Sequence, residues 1–335
     1  MESILITGGA GYIGIHTSLT FLEKGFNIVL IDSFSNSSKK SIDRLYKIST
    51  LTKSFSFSQI TFFEGDVRDI KFLRDVFKKL FISGNPIKAV MHFAGLKSVE
   101  ESISFPKIYW DVNVNGTKNA ISAAKKCGAM LVFYSSPEAF GENEEMPLSN
   151  LKNSVFTPAN LHQRHSYGSS KYIGELLCQF AVRNGHDVRI VRPFNAYGKR
   201  LRGDENGQVV SMMINSNPII VHGDGSQTRS FTWIDDVTEG FVKTGLLDHG
   251  IDGSNLSGLA FNIGSTEEVS ITSLAKRIVE VSGKKEIEQK NETGYYGDSK
   301  RRLPDVDKSQ LLLGWSCNVN LNDGLKRMWD ELSNN

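Results

Sequence analysis

Cysteine is scarce in this sequence, and what there is lies scattered. Cys127, Cys178 and Cys317 are odd in number and share no CxxC spacing, so neither a disulfide framework nor a zinc–thiolate site is expected, and a reducing compartment is. The chain opens MESILITGG, without a basic segment, an apolar signal core or a cleavage site. No apolar run reaches the ~18 residues of a membrane span. These absences predict a cytosolic protein with no membrane partner. An excess of either charge is missing too: 39 Lys and Arg stand against 37 Asp and Glu, a net charge of +2. That balance predicts neither a nucleic-acid partner nor a funnel for acidic substrates. No HxH or HExxH spacing occurs, so no metal site is expected; His92, His162 and His165 read as structural or loop residues, with His165 close to Tyr167. There are no tandem repeats.

What is present is alternation. SILIT (3–7) is a continuous apolar run of the kind buried on both faces of a parallel sheet. GGAGYIG follows it, then IHTSLTFLEKG at helical spacing, then FNIVLID ending at Asp32. Strand, glycine turn, helix, strand and acid make a βαβ unit. The pattern recurs through ITFFEGDVRD, IKAVMHFAG, AMLVFYSS and DVRIVRPFNAYG, with helices between. The expected fold class is α/β, a doubly wound parallel Rossmann sheet with right-handed crossovers. After Gly198 the alternation loosens. Residues 1–198 are therefore expected to form the Rossmann domain, and 199–335 mainly a smaller domain, with some exchange of chain between them.

Gly8, Gly11 and Gly14, with Tyr12 and Ile13 between the last two, form a GxxGxxG turn. Glycines let backbone approach a pyrophosphate, which then sits on the helix N-terminus. Asp32, 18 residues beyond Gly14, is placed to accept hydrogen bonds from the adenosine ribose and to repel a 2′-phosphate, which selects NAD over NADP. Asp66 in GDVRD is a candidate for the adenine edge. Tyr167 and Lys171 form a YxxxK pair, on one face of a helix at i and i+4. An ammonium beside the phenol, together with a cationic nicotinamide, is expected to bring the tyrosine down toward neutrality as a general base.

Together these features resemble the extended short-chain dehydrogenase/reductase superfamily over nearly the whole chain. Within it, HFAGLKSVEES, NVNGT, LITGGAGYIGIHT and DSFSNS are similar to the UDP-glucose 4-epimerases. The resemblance implies NAD contacts at Asn36, Ser37, Val67, Phe93, Ala94, Gly95 and Lys97, besides Asp32 and Asp66. It makes Ser136, Tyr167 and Lys171 catalytic. A UDP-sugar is implied as substrate, held by Lys97, Ser136, Glu138, Tyr167, Asn195, Arg229 and Arg302, with the two arginines on the diphosphate. It also implies a homodimer built on the helices of DVNVNGTKNAISAAKKCG and YGSSKYIGELLCQFAV. The implied activity is 4-epimerisation of UDP-glucose/UDP-galactose or their N-acetyl forms. The stretch SSPEAFG departs from the simplest epimerases. Pro137 stands where 4,6-dehydratases carry an aspartic acid, and Glu138 where dehydratases and UDP-glucuronate decarboxylases carry a glutamate. Those activities are the alternative, and a non-catalytic NAD-binding regulator is the rival from another class.

Overall fold

The computed structural model describes residues 2–52, 55–160, 165–201, 208–284, 286–290 and 299–333. Its centre is a seven-stranded sheet of β1 (Ser3–Thr7), β2 (Asn27–Asp32), β3 (Ile60–Glu64), β4 (Ile87–His92), β5 (Met130–Tyr134), β6 (Val188–Pro193) and the strand Ala260–Ile263. From one edge to the other the order is Ala260–Ile263, β6, β5, β4, β1, β2, β3, and every pairing is parallel. The chain runs outward from β1 to β3, then returns to β4 on the other side. That reversal is the switch point at which α/β sheets bind ligands.

Both faces of the sheet are covered, so its strands are apolar throughout rather than alternating. β1 is buried along its whole length. Successive side chains point to opposite faces. Ile4 and Ile6 pack with Phe21 and Leu22 of α1 (Tyr12–Glu23) and with Val237, Phe241 and Val242 of the helix Ile234–Leu246. Leu5 faces the other way, with Val76 and Phe77 of the helix Ile70–Ile82, Ala123 and Ala124 of the helix Gly116–Lys126, and Cys178 of the helix His165–Arg183.

The chain beyond residue 199 does not stay apart from this layer, because both Ala260–Ile263 and Ile234–Leu246 pack into it. The remainder builds small pairings of its own. Ile219–His222 pairs with Ile287–Lys290, and Thr228–Arg229 lies between Val269–Ser270 and Arg301–Arg302. The helix Ile271–Ser282 starts on Ser270, whose hydroxyl accepts from the Ser273 amide, and stops at left-handed Gly283. No described helix is long and apolar enough to cross a membrane.

Candidate active site

The turn after β1 brings backbone against backbone. A Cβ on Gly8, which has φ +68°, would stand 2.6 Å from the Ala94 amide nitrogen, and one on Gly14 would stand 2.4 Å from the Gly8 carbonyl oxygen. Only glycine fits at either place. α1 then begins at Gly11, which offers no side-chain oxygen to its first amides, and no acid occupies its first turn. The start of the helix is thus left open to an anion. Ile13 is buried in the core, and the Tyr12 ring stands edge-on to His16 at 5.0 Å.

Asp32 ends β2 beside this turn and is buried. Its Oδ2 accepts from the Ala10 amide at 2.9 Å; its Oδ1 accepts from the Phe34 amide and the Ser37 hydroxyl, each at 2.8 Å. Asn36 is exposed in the same loop. Asp66 is gripped by Arg68, whose Nη2 donates at 2.7 Å, and the guanidinium holds its carboxyl below the usual carboxylate range. Val67 is buried against Gly116. Phe93 packs edge-on to Tyr134 and Phe241, and Gly95 lies close to Asn113 and to Lys171. Lys97 is exposed. The Gly cradle, the open helix start and the acid at the end of β2 fit a dinucleotide whose adenosine ribose is unphosphorylated.

The second group of residues gathers at the carboxyl end of β5. Ser136 follows that strand in extended backbone, and its hydroxyl caps the short turn Pro137–Phe140 by accepting from the Glu138 amide at 3.3 Å. Tyr167 is buried, with the Ser136 hydroxyl near enough to bear on its phenol. Lys171, one turn later, donates to the Tyr134 carbonyl at 2.8 Å and stands over the Tyr134 ring at 4.9 Å. Burial pushes Lys171 down to about 8. Burial also pushes the Tyr167 phenol well above its ordinary value, Glu138 and Tyr134 adding to the rise while Ser136 and Arg302 oppose it. This differs from the sequence expectation of a lowered tyrosine. The protein alone desolvates the phenolate, and the lysine is turned toward a carbonyl.

Glu138 is buried, 3% exposed in its side chain, and forms an ion pair with Arg302. Arg302 lies beside Arg229 in adjacent paired segments, and Arg229 Nη1 donates to the Thr228 carbonyl at 2.8 Å. Asn195 adopts positive φ and donates to the Ser230 carbonyl at 2.8 Å. So the fold brings Ser136, Glu138, Tyr167, Lys171 and Arg302 into one neighbourhood, the last of them from 131 residues beyond Lys171. His162 lies outside the described residues, as does the His165 side chain. Among the described residues no cluster of His, Cys, Asp or Glu could hold a metal.

The sequence marks His92 as structural without giving its partners. It is a buried link behind the site: Nδ1 meets the Thr7 hydroxyl at 2.7 Å and Nε2 the Thr117 hydroxyl at 3.1 Å. Burial and then the Lys171 charge push it down to about 3, which keeps it neutral. Hydroxyls at the ends of β1 and at 117 were the available signal, but nothing local joins them.

The sequence profile of the NAD dependent epimerase/dehydratase family matches residues 4–264. The chain belongs to that family. It is an NAD-dependent epimerase. Among its relatives, UDP-glucose 4-epimerase 3 of Oryza sativa subsp. japonica is 31% identical, over 98% of this chain and 89% of that one. The UDP-glucose 4-epimerase of Thermotoga maritima, solved with UDP-glucose, is 25% identical with a TM-score of 0.84 over 99% of both chains. The UDP-glucuronic acid 4-epimerase of Bacillus cereus, solved with UDP-glucuronic acid and NAD, is 26% identical with a TM-score of 0.80, again over 99% of both.

Proposed function

We propose that this epimerase inverts C4 of a UDP-hexose, UDP-glucose/UDP-galactose or their N-acetyl forms. The observation that carries the reading is the meeting of Ser136, Tyr167 and Lys171 at the end of β5, on the same side of the sheet as the glycine cradle. Bound NAD supplies a hydride acceptor and donor for C4. Tyr167 takes the C4 hydroxyl proton and returns it, and Ser136 hydrogen-bonds the same oxygen so that it faces the phenol. Lys171 contributes positive charge beside both. The 4-keto sugar turns about its link to the diphosphate between the two half-reactions, so no net redox occurs. Asp32 takes the adenosine ribose, Gly8, Gly11 and Gly14 the pyrophosphate, and Arg229 and Arg302 the substrate's diphosphate, a task suited to the planar guanidinium fork.

NMR of reaction mixtures with UDP-glucose, UDP-GlcNAc and UDP-glucuronate tests the reading. C4-epimeric products from the first two support it. Release of CO₂ from UDP-glucuronate, or a 4-keto-6-deoxy product, overturns it in favour of decarboxylation or dehydration. Pro137 has no proton to give at the position where dehydratases carry an acid. Glu138 is already engaged by Arg302, which supports a structural part for it. Glu138→Gln is therefore expected to lower kcat by less than about tenfold, ~1.4 kcal/mol of barrier. Ser136→Ala, which removes the donor aimed at the reacting oxygen, is expected to cost more. Steady-state kinetics of the two variants side by side decides between these outcomes.

We also propose a homodimer. The helix Gly116–Lys126 turns Ala120, Ile121, Ala123 and Ala124 inward to the core. The apolar surface lies instead just before it, at Phe105 and Trp110, and on the helix His165–Arg183 at Leu176 and Phe180. Phe105 and Phe180 are 60% and 52% exposed, an apolar surface of the kind that subunit contacts cover. Phe180→Glu is expected to give a monomer by sedimentation equilibrium where the parent is a dimer; a parent that sediments as a monomer refutes the proposal.

A further inference from the structure

Behind the β5 end of the site lies a buried charged pair to which the reaction proposed above assigns no part. Glu175 sits one helical turn beyond Lys171, on the same face. Its Oε1 accepts from Arg192 Nε at 2.7 Å and its Oε2 from Arg192 Nη2 at 2.5 Å, a two-pronged contact across to β6. Arg192 Nη1 donates to Asn150 Oδ1 at 2.6 Å, and the guanidinium stands 4.4 Å from the centre of the Phe140 ring. Glu175 Oε1 also accepts from the Ser135 hydroxyl at 2.5 Å. Both side chains of the pair are about one-tenth exposed. A buried ion pair is costly to desolvate, and apolar residues of the same size commonly serve stability as well. The pair therefore has little to recommend it as a stabiliser, whereas its contacts converge on the backbone that presents Ser136.

We propose that Glu175, held by Arg192, is a positioning residue for the reacting group: it fixes Ser135, and with it the turn carrying Ser136, and it holds the Lys171 ammonium charged from the adjoining helical turn. This rests on the assignment of Ser136, Tyr167 and Lys171 given above. The groups facing Lys171 agree with it. On its own helix are Glu175 and Cys178; on β5 is Tyr134, whose carbonyl accepts its hydrogen bond; on β4 is neutral His92. Burial pushes Lys171 down, and Glu175 is the foremost group pushing it up.

The test is the pH profile of kcat for epimerisation of UDP-glucose by the holoenzyme. A lysine that must be charged and titrates near 8 gives an alkaline limb there. Without Glu175 the charged form is less favoured, so the limb moves to lower pH. Glu175→Gln is expected to lower kcat by roughly 10–30-fold, as a sub-ångström misplacement does, to leave KM within about twofold, and to move the alkaline limb down by about one pH unit, the usual effect of losing one nearby opposite charge. Ser135→Ala keeps the charge and removes only the anchor, so kcat is expected to fall with the limb in place. Glu175→Asp is expected to restore the limb. Should Glu175→Gln fold poorly because it strands the guanidinium, Glu175→Leu with Arg192→Met removes both charges, and the limb is still expected to shift. An unmoved limb in both variants overturns the inference, as does a kcat loss that only tracks a falling Tm. If Tyr167→Phe retains turnover, the assignment itself is wrong; if Tyr167→Phe is inactive and the limb does not move, only the role of Glu175 is.

Discussion

Tyr167→Phe is expected to cut turnover of UDP-glucose by roughly 10²–10⁴, the usual worth of a positioned general acid–base group, with NAD and UDP-sugar binding largely kept. The substitution removes one oxygen from a buried ring that stands edge-on to Tyr109 at 6.4 Å. That packing survives in phenylalanine, and Ser136 retains the Glu138 amide as a partner, so the fold is not expected to change. What is lost is the hydroxyl that, on the proposed mechanism, gives and takes the C4 proton. The structure makes the demand on charge plain. Burial raises the phenol well above its ordinary value, and the Glu138–Arg302 pair contributes opposing effects that leave no large net assistance. On the proposed mechanism the phenolate is favoured by Lys171, and bound NAD would add positive charge beside it. Lys171→Met is accordingly expected to do at least as much damage. Single-turnover and steady-state rates, read beside the NAD content and Tm of the purified variants, check this. A Tyr167→Phe variant with near-normal turnover sinks the mechanism.

The first βαβ unit could be read directly from the sequence because everything it needs is local. β1 is an unbroken apolar run, the glycines stand at fixed offsets, and Asp32 closes the next strand. The YxxxK pair was legible for the same reason, since helical periodicity alone puts both residues on one face. The strand Ala260–Ile263 was not. Four residues in a stretch without strong alternation carry little signal, and their place beside β6 is set by tertiary pairing. The Glu138–Arg302 pair spans 164 residues, and sequence placed both at the substrate without joining them. Glu175 escaped notice altogether, because a glutamate in a helix ordinarily faces water, and only the packing of that helix on β5 and β6 buries it. The direction of the Tyr167 shift failed for a related reason. Sequence supplies the neighbouring charges, while desolvation depends on how deeply the assembled fold encloses the ring.

Asp32→Ala is expected to weaken NAD binding by roughly 10²–10⁴. The proposed adenosine ribose contact involves two hydrogen bonds to a charged acceptor, each worth about 1.5–3 kcal/mol, and every 1.4 kcal/mol is tenfold in Kd. The structure adds a second source of loss. Asp32 ties three pieces of the cradle together, through the Ala10 amide within the glycine turn and through the Phe34 amide and Ser37 hydroxyl in the loop beyond β2. Alanine releases all three, so the turn that approaches the pyrophosphate is less firmly held. Asp32→Asn separates the two effects, since the amide oxygen can still accept from one of these donors while the charge is gone, and an intermediate loss is expected. The parent is expected to purify with NAD bound and the alanine variant largely without it, which denaturation followed by measurement of the released nucleotide records directly. Calorimetric titration then gives Kd for NAD and NADP on each protein. Removing the carboxylate also removes its repulsion of a 2′-phosphate, so the preference for NAD over NADP is expected to narrow as overall affinity falls. An alanine variant that binds NAD as tightly as the parent, with its preference intact, places the adenosine ribose elsewhere and overturns the assignment of the cradle.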